Sequence, residues 1–229
     1  MSIKSEHYKL SKNDFEKYLA SLKNAPGTRF FMEESSHPYF YCMMPETSRV
    51  LAKLNYARVE FDKTINRFSI FGKKQIVQSF LIDEVEATNK IENIFSTRHD
   101  IFSVINQVKG AEDKRIVSIG NAYMLLLQTT GEPVQTLSDI RGIYDELLKG
   151  AISREDKPDG RFFRKNQVYI TDGINTIHTG LEGEDQINKA MEEFLSEYNS
   201  DADVFEKLII SHFLIETIHP YYDGNGRLG

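Results

Sequence analysis

Tryptophan is absent from the 229 residues, and cysteine occurs once, at Cys42. A single cysteine closes no internal disulfide and builds no cysteine-based zinc site. Basic charge is also short, with 28 Lys and Arg against 34 Asp and Glu, a formal net charge of -6. Nucleic-acid scaffolds usually carry a basic face, so the balance argues against one, though not against a local anion site. No apolar run approaches the roughly 18 residues that mark a membrane span. The N-terminus, Met1 to Glu6, lacks the apolar core of a secretory signal. The expected compartment is the cytoplasm, with export of an effector by a non-standard signal left open. What is present is globular: 40% hydrophobic and 27% charged residues. The length suits one large domain, or a domain with a smaller extension.

Helical spacing dominates the chain. Phe15, Tyr18, Leu19 and Leu22 share one face of a short helix over 11–22, which Ser11 can cap and Pro26-Gly27 ends. Thr28–Met32 and Tyr39–Met43 are short, aromatic-rich and spaced to pair as strands around Glu33–Pro38. His37 reads as a loop histidine. A long helix is predicted from Thr47 to about Phe68, and Gly72 separates it from the next, about 74–93. Ile76, Val77, Phe80, Leu81, Val85 and Ile91 supply the buried side of that second helix. Phe95–Lys109 is helical from about Asp100, and Glu112–Thr130 is a further helix with Tyr123 and Met124 in its apolar face. Ser138 can cap a helix to Lys149. The rhythm then breaks over 150–185, where Asp159-Gly160 and Asp172-Gly173 make turns. Between and after them, Gln167–Ile170 and Asn175–Thr179 read as a β-hairpin. Gln186–Asn199 is amphipathic, and Asp203 caps a last, strongly apolar helix, Val204–Ile218. His212 on that helix reads as a packing histidine.

The densest chemistry follows that helix, in His219-Pro220-Tyr221-Tyr222-Asp223-Gly224-Asn225-Gly226-Arg227-Leu228-Gly229. An apolar rod delivers a histidine to a turn-forming loop. Gly224 and Gly226 let the backbone bend and let a ligand approach closely. Successive N–H groups of such a loop, at Gly224, Asn225 and Gly226, can cradle an anion, and Arg227 adds a forked cation for phosphate oxygens. Asp223 beside a phosphate calls for a hard cation such as Mg²⁺ between them. His219 can then accept a proton from an attacking group. Other patterns share these residues. Gly224, Gly226 and Gly229 spell the dinucleotide-binding G-x-G-x-x-G, but no acidic residue follows about 20 positions on. A calcium loop opened by Asp223 needs Gly where Leu228 stands. A plain polar turn after a core helix accounts for Gly, Asn and Asp, but not for the flanking His, Pro and Arg. The residues themselves imply a metal-assisted phosphate site with a base, and no more.

His219 to Arg227 resembles the active-site motif of the Fic (Fic/Doc, or Fido) family, His-Pro-Phe-x-Asp-Gly-Asn-Gly-Arg-x-x-Arg. Tyr221 replaces the usual Phe, and the family's second Arg would fall one position past Gly229. A second stretch, Thr88-Asn89-Lys90-Ile91-Glu92-Asn93, is similar to the family's inhibitory motif, Ser/Thr-x-x-x-Glu-Gly/Asn. Thr88 and Glu92 lie four apart and so share a helix face.

The resemblance implies a mainly α fold: a Fic-type helical core over 71–229 with a small hairpin flap, preceded by an N-terminal helical extension over 1–70. It implies transfer of AMP from ATP, with Mg²⁺, to a Tyr, Ser or Thr hydroxyl of a target protein. His219 would be the base, Asp223 the metal ligand, and Gly224, Asn225, Gly226 and Arg227 the nucleotide loop. Thr88, Glu92 and Asn93 would be the brake, and Gln167, Val168, Tyr169 and Ile170 the target-binding flap. Arg161 and Arg164 resemble the family's glycine-x-x-Arg approach to that flap, and no catalytic role is assigned to them. The same site could instead remove AMP, move another phosphate-containing group, or bind nucleotide without catalysis. The implied partners are a protein substrate, which can be the chain itself, and ATP. A second copy of the chain, and a second polypeptide or longer parent chain completing the core beyond Gly229, complete the expected set. Nucleic acid and membrane are not among them.

Overall fold

The computed structural model describes residues 3–36, 38–91, 95, 97–105 and 133–229. It opens with α1 (Ile3–Lys9), α2 (Lys12–Lys23) and an antiparallel pair, β1 (Arg29–Phe31) with β2 (Tyr39–Tyr41). Three helices follow, α3 (Pro45–Ile65), α4 (Ile70–Ile91) and α5 (Arg98–Ile105). The second half holds α6 (Leu137–Leu147), the hairpin β3 (Tyr169–Thr171) and β4 (Thr176–Thr179), α7 (Glu184–Tyr198), α8 (Val204–Ile218) and the one-turn α9 (Asn225–Leu228). The described chain is thus mainly helical with two small hairpins, as expected. The helix expected over Glu112–Thr130, with Tyr123 and Met124, lies outside the described residues, as does His37.

Local chemistry explains most element ends. The Ser11 hydroxyl accepts the Asp14 N–H at the start of α2, and Asp203 accepts those of Phe205 and Glu206 at the start of α8. Two expectations need correction. Gly72 lies inside α4 rather than between helices. The break falls at Asn66–Ser69, where Asn66 caps α3 and the Ser69 hydroxyl accepts the Gly72 N–H at 3.2 Å. A serine there satisfies a first-turn donor, which a glycine cannot do. The start of α6 is capped by Thr136, two residues earlier than Ser138. Thr136 and Asp139 form a reciprocal capping box, which satisfies two backbone donors at once.

The core lies between α6, α7 and α8. Ile140 and Tyr144 of α6 and its C-cap Leu148 meet Ile187 and Met191 of α7 and Leu214 and Ile218 of α8, all nearly inaccessible to water. Each such side chain contributes about 1.5–3 kcal/mol of burial free energy. Phe31 and Met32 belong to the same cluster, so the first hairpin closes one side of it. A polar tie reinforces this join. Arg29 donates to both oxygens of Glu197 at 2.7 and 2.8 Å and to Glu206 at 2.5 Å, with its guanidinium over the Tyr41 ring. Burial and the neighbouring Glu206 raise the Tyr41 hydroxyl to about 12.

Helical period does not always mean burial. Phe80 of α4 is exposed where burial was expected, while Ile82 and Val85 are buried. Leu208, Ile209 and Phe213 leave one flank of α8 in contact with water, so that helix is not buried all round. His212 lies on this flank and is exposed, not packed in the core.

Candidate active site

The site is built where α8 ends. Its last carbonyls have no partners within the helix, and the next residue turns sharply. His219 adopts left-handed backbone angles, φ 52° and ψ 61°, while its N–H still donates to Ile215 O at 2.9 Å. A non-glycine residue holds that conformation only where its surroundings over-determine it. Here they do so through Arg164. The Arg164 side chain is fully buried, and its guanidinium donates to backbone carbonyls. Its Nε donates to His219 O at 2.8 Å, and its two Nη atoms to Asn166 O at 2.5 Å and Ile218 O at 3.4 Å. The Arg164 N–H adds a bond to Pro220 O at 3.1 Å. Burial pushes this guanidinium down to about 10, and helix-end carbonyls, which carry partial negative charge, offset the cost. Gly180 makes the room: a Cβ there would stand 2.5 Å from Arg164 Nη2 and 3.2 Å from His219 Cβ.

Aromatic packing fixes the loop after His219. Tyr221 is buried, stacked on Tyr144 at 3.5 Å with a 9° interplanar angle, and set edge-on to Phe163 at 5.4 Å. The Tyr144 hydroxyl donates to Asp223 O at 3.0 Å. Asn225 closes the loop on itself. Its Oδ1 accepts the Tyr221 N–H and its Nδ2 donates to Tyr221 O, both at 2.9 Å. Gly224 has φ 86°, and a Cβ there would lie 2.4 Å from Leu148 Cδ1, so only glycine fits.

Asp223 and Arg227, the one expected to hold Mg²⁺ and the other phosphate oxygens, meet each other. Arg227 Nη2 donates to Asp223 Oδ2 at 2.8 Å across one turn. Asp223 Oδ1 accepts the Gly224 N–H at 2.7 Å, so that N–H is already engaged. The N–H groups of Asn225 and Gly226 open α9, where no preceding turn can bond them. The Asn225 side chain serves the loop, leaving its backbone for a ligand.

His219 is largely shielded, and its imidazole is lowered to about 4, first by burial and then by the nearby Arg164 and His178. Its Nδ1 lies 3.4 Å from Glu216 O, a contact that only a protonated Nδ1 can make as donor. The other ring nitrogen, Nε2, then carries the lone pair. The ring is neutral at pH 7, as expected, but through burial rather than through its ordinary value.

The hairpin stands beside this site. Tyr169 pairs with Thr179, Ile170 with His178 and Thr171 with Thr176, with an irregularity after Ile170. Gln167 and Val168 precede the strand rather than belong to it, though Val168 O accepts the Gly180 N–H at 3.0 Å. Tyr169, Ile174 and Ile177 are exposed. Of the expected brake, Thr88 lies on the α4 backbone, its side chain outside the described residues together with all of Glu92 and Asn93. Sequence reading left Arg164, Tyr144 and His178 without a role. The glycine-x-x-Arg pattern marked the first of these, but nothing local shows that an arginine will be buried.

Residue chemistry fits a single-carboxylate magnesium site: Asp223 is 38% exposed and can turn to a cation that phosphate oxygens also bind. Among the described residues no group of three His, Cys, Asp or Glu side chains could hold a metal unaided. None of the described helices is long and apolar enough to cross a membrane.

Comparison with known proteins agrees with this geometry. Residues 134–229 match the model of the Fic/DOC family. The fold is similar to the crystal structure of a Fic family protein from Desulfovibrio desulfuricans G20, with a TM-score of 0.59 and 21% sequence identity over 82% of this chain. The match covers 56% of that protein, so this chain spans little more than half of its length. A search of curated proteins found no match. The matched segment contains α6, the β3–β4 hairpin, the buried Arg164 and the whole loop from His219 to Arg227.

Proposed function

We propose that the chain transfers AMP from ATP to a Tyr, Ser or Thr hydroxyl of a target protein, with Glu92 as its brake. The observation that carries this reading is a shielded, neutral His219 held at the end of α8, directly before a loop that ends in the first turn of a helix. The family match over residues 134–229 supports a nucleotide monophosphate as the group moved. The choice of AMP and the brake rest on the motif resemblance, and the cytoplasmic setting on an N-terminus without the apolar core of a secretory signal.

In this reading the phosphates lie against the Asn225 and Gly226 N–H groups, and Arg227 turns from Asp223 toward them. Asp223 would hold Mg²⁺, which supplies charge neutralisation of the phosphate oxygens when bound. The target hydroxyl oxygen attacks the α-phosphorus. A new P–O bond forms to the target and the bond to the β-phosphate oxygen breaks, releasing pyrophosphate. His219 Nε2 takes the hydroxyl proton. The flap presents its strand edge, with Tyr169 and Ile170, to an extended target segment, since open strand edges bind peptides through main-chain hydrogen bonds. Glu92 would sit among the cations that serve ATP, drawing Arg227 away from phosphate.

Mass spectrometry of the chain and of candidate targets after incubation with Mg²⁺ and ATP tests the reading. A gain of AMP on a hydroxyl residue, lost in His219→Ala and increased in Glu92→Gly, is the expected result. A gain of phosphate alone, a loss of AMP from a modified target, or no change would overturn it.

A further inference from the structure

The hairpin and the residues flanking it are fastened to the end of α8 and the two residues after it at four consecutive carbonyls. Thr217 O accepts from His178 Nε2 at 2.8 Å, and Ile218 O from the Leu181 N–H at 3.2 Å and Arg164 Nη2 at 3.4 Å. His219 O and Pro220 O accept from Arg164 Nε and N–H at 2.8 and 3.1 Å. Such carbonyls at a helix end are ordinarily left to water. Here residues 164–181 take them all, and they bracket His219, which with Met32 is one of two non-glycine residues at positive φ among the described residues.

His178 is the attachment that comes from a flap strand itself. It stands in β4 opposite Ile170 of β3, half-buried, with its ring turned to the end of α8. A carbonyl only accepts, so His178 Nε2 must carry the proton in this bond. Arg164 brings positive charge near His219, and Asp223 brings negative charge.

We propose that His178 is a positioning residue for His219: its hydrogen bond to Thr217 O locks the flap strand to the end of α8 and holds the His219 ring in its shielded place. The inference rests on the adenylylation reading for its role in catalysis, but not for its geometry. One consequence is mechanical. A peptide added to the β3 edge would rigidify the hairpin and, through His178, the backbone two residues before the base.

The test compares His178→Gln and His178→Ala in the whole chain, both confirmed folded by thermal unfolding. Gln keeps an N–H donor close to the position of Nε2, whereas Ala does not, and both remove the imidazole. His219 is titrated by NMR of its ring signals. In wild type the midpoint is expected near 4, from the burial described above. Ala should raise it toward the ordinary value of about 6.5 as the ring gains water, and Gln should keep it low. Equal midpoints in all three, or Gln behaving as Ala, would overturn the proposal. Should the Ala variant not fold, His178→Asn, whose amide falls short of the carbonyl, replaces it with the same expectations.

Turnover supplies the second readout. Ala should lower kcat for AMP transfer about 10- to 100-fold, the scale of a small misplacement of a reacting group, with ATP affinity unchanged and Gln restoring the rate. Unchanged kcat in Ala would overturn the catalytic role. If the titrations behave as expected but wild type itself transfers no AMP, the adenylylation reading falls while the positioning of His219 by His178 stands.

Discussion

Tyr221 carries a hydroxyl into a place made for a ring. The ring is stacked on Tyr144 and fully buried, yet its hydroxyl has no hydrogen-bond partner among the described residues. A buried unsatisfied hydroxyl costs about 1–3 kcal/mol. Tyr221→Phe keeps the stack and should raise the unfolding free energy by about 1 kcal/mol in a denaturant titration. Lower stability would show that the hydroxyl is bonded after all. His219 gives a pH dependence with a definite sign. Its imidazole is lowered from 6.5 to about 4 by burial, so below pH 6.5 the unfolded chain binds a proton that the folded chain refuses. The stability tied to neutral His219 is complete above pH 6.5 and is lost as pH falls to about 4. Stability curves over that window should be steeper in wild type than in His219→Asn. Equal slopes would mean that the ring is solvated. The histidine and its loop were legible in the sequence because their residue types crowd into nine positions. The neutral state of His219 was legible too, but its cause, burial, was not.

At the scale of elements, the joint between β4, Gly180 and α8 decides whether the site forms. A methyl group at Gly180 would press on Arg164 Nη2 and His219 Cβ. Gly180→Ala should therefore cost about 1–3 kcal/mol, as over-packing does, and should shift the His219 ring resonances. A variant as stable as wild type, with unshifted resonances, would show that Arg164 can move aside. Most helices were readable from period and caps, α1 (Ile3–Lys9) being missed: Ser11 and Asp203 are where capping chemistry puts them. Boundaries were less so. Gly72 looked like a separator, but the Ser69 hydroxyl and the turn at Asn66 do that work. Ser138 yielded to Thr136 because only the earlier residue can join Asp139 in a reciprocal pair. Phe80 shows the limit of periodicity, which places a residue on a face without saying what covers that face.

Across the whole molecule, the first hairpin is bound to the domain by Arg29. Glu197 is 6% exposed beneath it and Glu206 adjoins. Removing the cation leaves two shielded carboxylates facing each other, and breaking such a buried pair costs about 3–5 kcal/mol. Arg29→Met should destabilise by roughly 3 kcal/mol and should loosen amide exchange in β1 and β2 more than in α6. Uniform exchange with unchanged stability would make the tie a surface ornament.

What the sequence determined by itself was everything that rests on neighbours along the chain. Helices show in period, caps in hydroxyls and carboxylates, turns in glycine. The candidate site shows in the run from His219 to Arg227, where one short loop holds base, carboxylate, amide and cation. Only the tertiary structure decided what depends on groups far apart in sequence. Arg164 is 55 positions from the carbonyl of His219, and His178 is 39 from that of Thr217. A buried guanidinium and an outward one are written with the same letter. What distinguishes them is the helix end that meets one and the water that meets the other. The pairing of Asp223 with Arg227 belongs to the same class of fact. Their spacing of four permits it, and only the packing of Tyr144, Tyr221 and Leu148 around the loop brings the two side chains together.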